Sequence, residues 1–264
     1  MKNKTQTEQE LFVQKYKKEC ILIKIARGAV LLLFLGIWEL MSDLSVIDPF
    51  FFSSPSRICL LFIDMCHNLE IFLHTGITLY ETILSFLIVN LLSIFIAIIM
   101  LSFDKVSKII EPYLVILNSL PKSALAPLII VWLGTGSKTI IVAGISVALF
   151  GSIINLYTGF KQVDSEKLKL ITTLGGSQKD QLTKVIIPAS IPIILSNMKV
   201  NIGLSLVGVI IGEFLAARQG LGYLIIYGSQ VFQLDLLIMS IIILCLIALL
   251  LYQSIDLLER KYNS

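Results

Sequence analysis

The stretch "LKLITTLGGSQKDQLTKVIIPASIP", residues 168–192, sets charged residues and a glycine pair between two apolar runs and closes on two prolines. Its surroundings decide where it lies. Of 264 residues, 56% are hydrophobic and only 15% charged, with a mean hydropathy of +0.89. A soluble domain carries about 25% charged residues, and several runs here reach the roughly 20 apolar residues that a helix needs to cross a bilayer. The pattern predicts an all-α, polytopic membrane protein with about six transmembrane helices. The quoted stretch is then a polar excursion from the bilayer.

Working outward, the spans are expected near 25–42, 79–101, 139–159, 197–217 and 236–255, with a further run at 112–133 broken by Pro121 and Pro127. Residues 1–24 are polar and basic and carry no small-residue cleavage site, so they read as an N-terminal segment rather than a removable signal. In 43–78, Ser54-Pro55 opens a helix, and Ile58, Leu61, Phe62, Met65 and Leu69 recur at helical spacing. That predicts an amphipathic helix on the membrane surface or on the protein itself. The five later spans form a core over 79–258, followed by a short tail at 259–264.

Orientation follows from where Lys and Arg flank the spans. With the N-terminus inside, sixteen fall in inner segments, beginning with Lys2, Lys4 and Lys15, and only Arg57, Lys138 and Arg218 fall outside. Both ends are expected in the cytoplasm, as is the loop 160–196, and 43–78 is expected outside. A loop of that length needs structure of its own. Ser165 is a candidate N-cap for a helix carrying Leu168, Ile171, Thr172 and Leu174. Gly175 and Gly176 end that helix, and Ser177 with Asp180 forms a capping box for a second. Pro188 and Pro192 mark the return to the membrane.

Other chemistries find little support. The four cysteines and two histidines show no metal-ligand spacing, and Cys59 and Cys66, seven apart, are separated by roughly 10 Å on a helix. No paired carboxylates or nucleophile–base set mark an enzyme, and no G-x-x-x-x-G-K-[ST] marks a nucleotide site. No cofactor, metal or nucleic-acid partner is expected. Within the spans, Pro121 and Pro127 free backbone carbonyls that must line a cavity or find donors. Lys122 would then give a path near Asn118 a positive field, and Glu213 is a lone carboxylate that needs a partner. A Lys122–Glu213 ion pair is one expectation. Asn90 and Asn118 are expected to bond between helices, and Gly203, Gly208 and Gly212 to let helices approach. Gly220 and Gly222 are expected to form an outer turn.

The quoted loop resembles the signature of binding-protein-dependent ABC importer permeases: Gly175, nine residues, then "VIIP" ending at Pro188, although Lys169, Leu170 and Ile171 stand where Glu-Ala-Ala is usual. "NSLPKSALAPLIIVWLGTGSK", Asn155 and Gly159, "IGEFLAARQGLGYLI", and "SSPSR" with His74 resemble the subgroup serving sulfonate, taurine, nitrate or bicarbonate. The resemblance implies a type I ABC importer permease fold. It also implies partners: a cytoplasmic ATPase dimer that binds ATP, a second permease copy, and an extracytoplasmic solute-binding protein. Coupling would fall to Leu168, Ile171, Thr172, Leu174, Gly175, Gly176, Ser177 and Pro188. The translocation path would involve Asn118, Pro121, Lys122, Pro127 and Glu213, and Gly220 and Gly222 would dock the binding protein. A self-contained secondary transporter is the competing class, disfavoured because no inverted repeat is visible. A vitamin precursor is the competing substrate within the family.

Overall fold

A computed structural model describes residues 8–263. Lys2, Lys4 and the rest of 1–7, with Ser264, lie outside the described residues. Two compact units divide the chain after Ile63.

In the first unit, α1 (Glu8–Asp43) carries the first apolar run, and its helix begins well upstream of that run. The most apolar window of α1 has no buried residue. Asp48 caps the short α2 (Pro49–Phe52) by accepting the Phe50 N–H. Ser54-Pro55 opens α3 (Pro55–His67), where the Ser56 N–H donates to Glu39 of α1 at 3.0 Å. Leu69, expected on this helix, instead adopts a left-handed conformation just beyond it.

The second unit is a helical bundle. It comprises α4 (Glu70–Ser102), α5 (Asp104–Ser119), α6 (Lys122–Leu133), α7 (Ser137–Lys161), α8 (Ser165–Thr173), α9 (Gln178–Gln181), α10 (Ile187–Ala216), α11 (Leu221–Gln230) and α12 (Leu234–Asn263). A π-helical turn, Leu182–Ile186, joins α9 to α10, so Gln178–Ala216 runs as one 39-residue rod. Pro188 has no N–H to give and its ring crowds the carbonyl of Lys184; widening the preceding turn relieves both. At 1.5 Å per residue the rod is about 58 Å long, well beyond a 30 Å hydrocarbon core.

Helices α4, α7 and α10 form the centre, because small residues let their backbones meet. A Cβ at Gly208 would lie 2.7 Å from the Gly144 Cα and 2.9 Å from the Ala143 carbonyl oxygen, and one at Gly144 would lie 2.7 Å from the Ser85 Oγ. Gly212 sits as closely over Ile140. Gly203 is exposed with nothing near it, so the close approach expected there does not occur.

Polar side chains then tie the three helices. Asn201 donates to Asn90 and to Ser152, both at 2.9 Å. Asn197 donates to Ser152 at 2.7 Å, and Asn155 donates to Asn197 at 2.9 Å. Asn90, Ser152, Asn197 and Asn201 are buried, and in a dry interior such groups need each other. Helix α12 is held to α10 by apolar packing of Ile255 with Ile202 and Phe86. An ion cluster adds to it: Lys199 bonds Asp256 (2.5 Å) and Glu259, and Arg260 bonds Asp256 at 2.7 Å. The sequence reading gave Lys199 no role; its acidic partners lie a long way off in the chain.

Among the described residues, five helices are long and apolar enough to cross a membrane alone, and the pair α5–α6, bent by 98°, passes the same test together. Contacts make this pair one broken crossing. Leu114 of α5 packs at one end of the bundle with Met100, Phe160 and Ile186. Ile130 of α6 packs at the other end against Ile140, Val209 and Ala216. The exposed surface is strongly apolar, with Leu91 at 70% and Val131 at 80% exposure, as lipid-facing positions should be.

Replacing Gly208 with Ala forces backbone apart and should cost about 1–3 kcal/mol; Gly203→Ala should be neutral. Thermal unfolding of both purified variants in detergent checks the contrast.

Candidate functional site

Three constellations carry chemistry: a foot beyond one end of the bundle, the break in α5–α6, and a buried acid at the other end.

The foot is α8 with α9. A helix of 9 residues is marginal by itself, so its attachments matter. Asp164, not Ser165, is the N-cap, its Oδ1 accepting the Glu166 N–H at 2.9 Å; Ser165 is the first helical residue. Asp164 serves because its backbone is not helical, with φ −52 and ψ 117, whereas Ser165 is already in the helix. Gly175 has φ +82, the left-handed position that ends the helix, and the Gly176 N–H reaches back to the Ile171 oxygen. A Cβ on Gly176 would meet the Ile171 side chain at 2.5 Å. Ser177 and Asp180 form the expected capping box. The Gln181 amide ties the two helices, donating to the Leu168 oxygen and to Thr172 Oγ1 at 2.7 Å. Asp180 also pairs with Lys184 at 2.7 Å, and the hydrogen bonds from Lys184 and Ser177 bind that carboxylate on three sides.

The foot has an inner and an outer face. Leu168, with Val163 and Leu182, packs down on the Met100–Phe160 cluster, so it anchors the foot instead of presenting itself to a partner. Ile171 is half-buried. Leu174 is 74% exposed and Leu170 is 59% exposed. Leu170 was missed in the sequence because a repeat of three selects Leu168, Ile171 and Leu174, while the true outer face turns on where the helix is anchored. Pro188 is exposed on α10, above the π turn.

At the break, Leu120 and Pro121 are extended and Lys122 begins α6. A straight helix would have put Lys122 at mid-span; the bend makes it a terminal residue. Its ammonium donates to the Asn118 carbonyl, one of the groups that the break leaves free. Asn118 lies over Gly151 through its side-chain amide. Pro127 lies within α6 on an exposed face. Glu213 is not Lys122's partner, and the expected ion pair is absent among the described residues: Lys122 satisfies the local carbonyl, and Glu213 is satisfied elsewhere.

Glu213 is fully buried near the C-terminal end of α10. Thr78 Oγ1 of α4 donates to its Oε1 at 2.6 Å, and the Gly222 N–H of α11 donates to its Oε2 at 2.5 Å. Thr78 Oγ1 in turn accepts the Leu221 N–H at 2.8 Å, and His74 Nδ1 accepts the Gly220 N–H at 3.0 Å. One carboxylate thus satisfies an orphan N–H of α11 while α4 satisfies another. Gly220 (φ +116) makes the turn, but Gly222 is already helical, and both are buried against Glu213. Added Cβ atoms would come within 2.4 Å and 2.7 Å of its oxygens. These positions are glycine because the carboxylate occupies the space a side chain would need.

A second buried acid, Glu81, lies beside Glu213. The sequence reading passed over it. Among the described residues no group of three His, Cys, Asp or Glu could hold a metal ion.

Helices bridged by buried polar groups, a broken crossing and a foot beyond the bundle define a type I ABC importer permease. Residues 89–264 match the family model described as binding-protein-dependent transport system inner membrane component, and the chain belongs to that family. A probable ABC transporter permease of Haemophilus influenzae is 31% identical, over 86% of this chain and 92% of that protein. A putative aliphatic sulfonates transport permease of Bacillus subtilis is 29% identical, over 86% and 82%. A formylaminopyrimidine transport permease of Halalkalibacterium halodurans is 26% identical, over 73% and 76%. In fold, the chain is similar to an inward-facing methionine ABC transporter, with a TM-score of 0.62 at 14% identity, over 71% of this chain and 94% of that one.

Glu213→Ala should cost about 1–3 kcal/mol by stranding buried donors. Combined with Thr78→Val the losses should be less than additive; combined with Lys122→Gln they should add. Double-mutant cycles on unfolding in detergent read both.

Proposed function

We propose that this permease subunit forms, with a second copy of itself, the path by which an ATP-driven importer moves a small acidic solute of the sulfonate, taurine or nitrate kind. The ATP is bound and hydrolysed by a separate cytoplasmic ATPase dimer, and an extracytoplasmic binding protein delivers the solute. Both chain ends and the foot lie in the cytoplasm, in keeping with the sixteen inner basic residues.

The observation that carries the reading is the foot. Leu170 and Leu174 offer an exposed apolar surface on a short helix, and Leu168 and the Gln181 amide fix that helix to the bundle. A partner that grips the foot moves α9 and α10 together, because Gln178–Ala216 is continuous. Near the far end of that rod, Glu213 holds α4 and α11. Closure of the ATPase at one end is in this way felt at the other. ATP shifts the permease between inward- and outward-open states because the ATPase grips the foot differently with and without nucleotide.

The B. subtilis relative's sulfonate assignment and the Lys122 ammonium at the broken crossing support an acidic solute. The H. halodurans relative favours a second reading, a nitrogenous vitamin precursor as the solute.

Leu174→Glu places a charge on the grip. In proteoliposomes containing the ATPase and binding protein, uptake should fall at least tenfold, while membrane insertion and thermal stability stay unchanged. Wild-type uptake with normal ATPase co-purification would remove the proposed contact.

A further inference from the structure

Glu81 of α4 is wholly buried, and neither of its carboxylate oxygens receives a formed hydrogen bond. Two groups stand within reach of it: the Ser137 hydroxyl, at the start of α7, and the Glu213 carboxylate of α10. Glu81 and Ser137 also border a cavity of about 550 Å³ between the start of α4, the α6–α7 turn and the α10–α11 turn. The two acids therefore lie side by side, at the end of the bundle away from the foot.

If both were ionised, each would have lost its water and would face a like charge across a poorly screening interior. Among the described residues no cation pairs with either acid. Glu70, Tyr80, Lys138, Arg218 and Tyr227, the other titratable groups at this end, are exposed. His74, stacked on Tyr223, supplies no charge: its Nδ1 accepts the Gly220 N–H, which an imidazolium nitrogen cannot do. What the two acids lack is a donor between them, and one proton makes that donor. The hydrogen bonds say which acid carries it. Glu213 accepts from Thr78 and from the Gly222 N–H, as an anion should, whereas Glu81 has no such pair of donors. A protonated Glu81 gives its O–H to Glu213 and keeps an oxygen free to accept from Ser137.

From this placement we propose that Glu81 is a neutral carboxylic acid whose O–H donates to the Glu213 carboxylate, so that one exchangeable proton latches α4 to α10. The cavity gives that proton its route, since it reaches Glu81 from the surface. When the O–H bond breaks and the proton leaves through the cavity, two negative charges remain in contact between packed helices, and the helices part there. Alkali on the side to which the cavity opens thus loosens this end of the bundle, while the polar chain from Asn90 to Asn155 still holds α4, α7 and α10 nearer the foot. The latch needs no partner protein, so its test is independent of the transport reading.

Infrared difference spectroscopy of the purified full-length chain in lipid nanodiscs reads the proton directly. At neutral pH the wild type should show the carbonyl stretch of a protonated carboxyl, and Glu81→Gln should lose it. Glu213→Gln should shift that band by changing its acceptor. The band should fade as pH is raised from about 7 to about 10. Stability in detergent should fall with it, because a folded chain that holds a proton released on unfolding becomes less stable as pH rises. Glutamine at 81 donates an N–H in place of the O–H and cannot ionise. Over the same range the wild type's unfolding equilibrium should therefore worsen at least tenfold relative to Glu81→Gln. A protonated-carboxyl band unchanged by Glu81→Gln, or equal pH dependence of stability in the two proteins, would overturn the inference. Should Glu81→Gln fail to fold, the wild-type band and its shift in Glu213→Gln decide: no band, or no shift, would overturn it equally.

Discussion

A carboxylate buried among membrane helices must be satisfied by those helices, and Glu213 sets this condition for the half of the bundle away from the foot. It accepts from Thr78 on α4 and from the Gly222 N–H on α11, and it forces glycine at 220 and 222 by filling the space beside them. Because neither donor has another partner of equal quality, α4, α10 and α11 are held in one arrangement. The Asn90–Asn201–Ser152–Asn197–Asn155 chain does the same for α4, α7 and α10 nearer the foot. Apolar side chains contribute less to this ordering, since lipid is as good a solvent for leucine as another helix is.

The same logic explains residues that sequence resemblance flagged without explaining. Asn155 is a rung of the polar chain, and Gly159 leaves room for Ile193, which a Cβ would meet at 2.7 Å. His74 closes the α10–α11 turn by accepting from Gly220. Each is fixed by a contact more than thirty residues away in the chain.

Spans and the foot were legible because they depend on local signals. Apolar runs of bilayer length, the Gly175-Gly176 pair and the Ser177–Asp180 box each specify nearby backbone. The α11 helix was not legible, since "QGLGYL" reads as a flexible loop until Glu213 and Thr78 supply its first N–H groups with acceptors. The 98° break was legible only as a pair of prolines; its angle comes from packing α5 and α6 on opposite ends of α7. Lys199, Glu81 and Leu170 escaped notice because their significance lies in distant partners, or in the lack of any. Lys122 and Glu213 were paired in expectation as two lone charges, whereas Lys122 meets its need with a nearby backbone carbonyl and Glu213 with the Thr78 hydroxyl and the Gly222 N–H.

The central claim is that the α8–α9 foot stands in the cytoplasm, at the opposite end of a continuous rod from Glu213. Its most direct test is labelling in intact cells. With the four native cysteines replaced by serine, a single cysteine is placed at Leu174 or, separately, at Gln219 beside the outer turn. A membrane-impermeant maleimide should label position 219 in intact spheroplasts and position 174 only after the membrane is opened. Labelling of position 174 from outside would contradict the account.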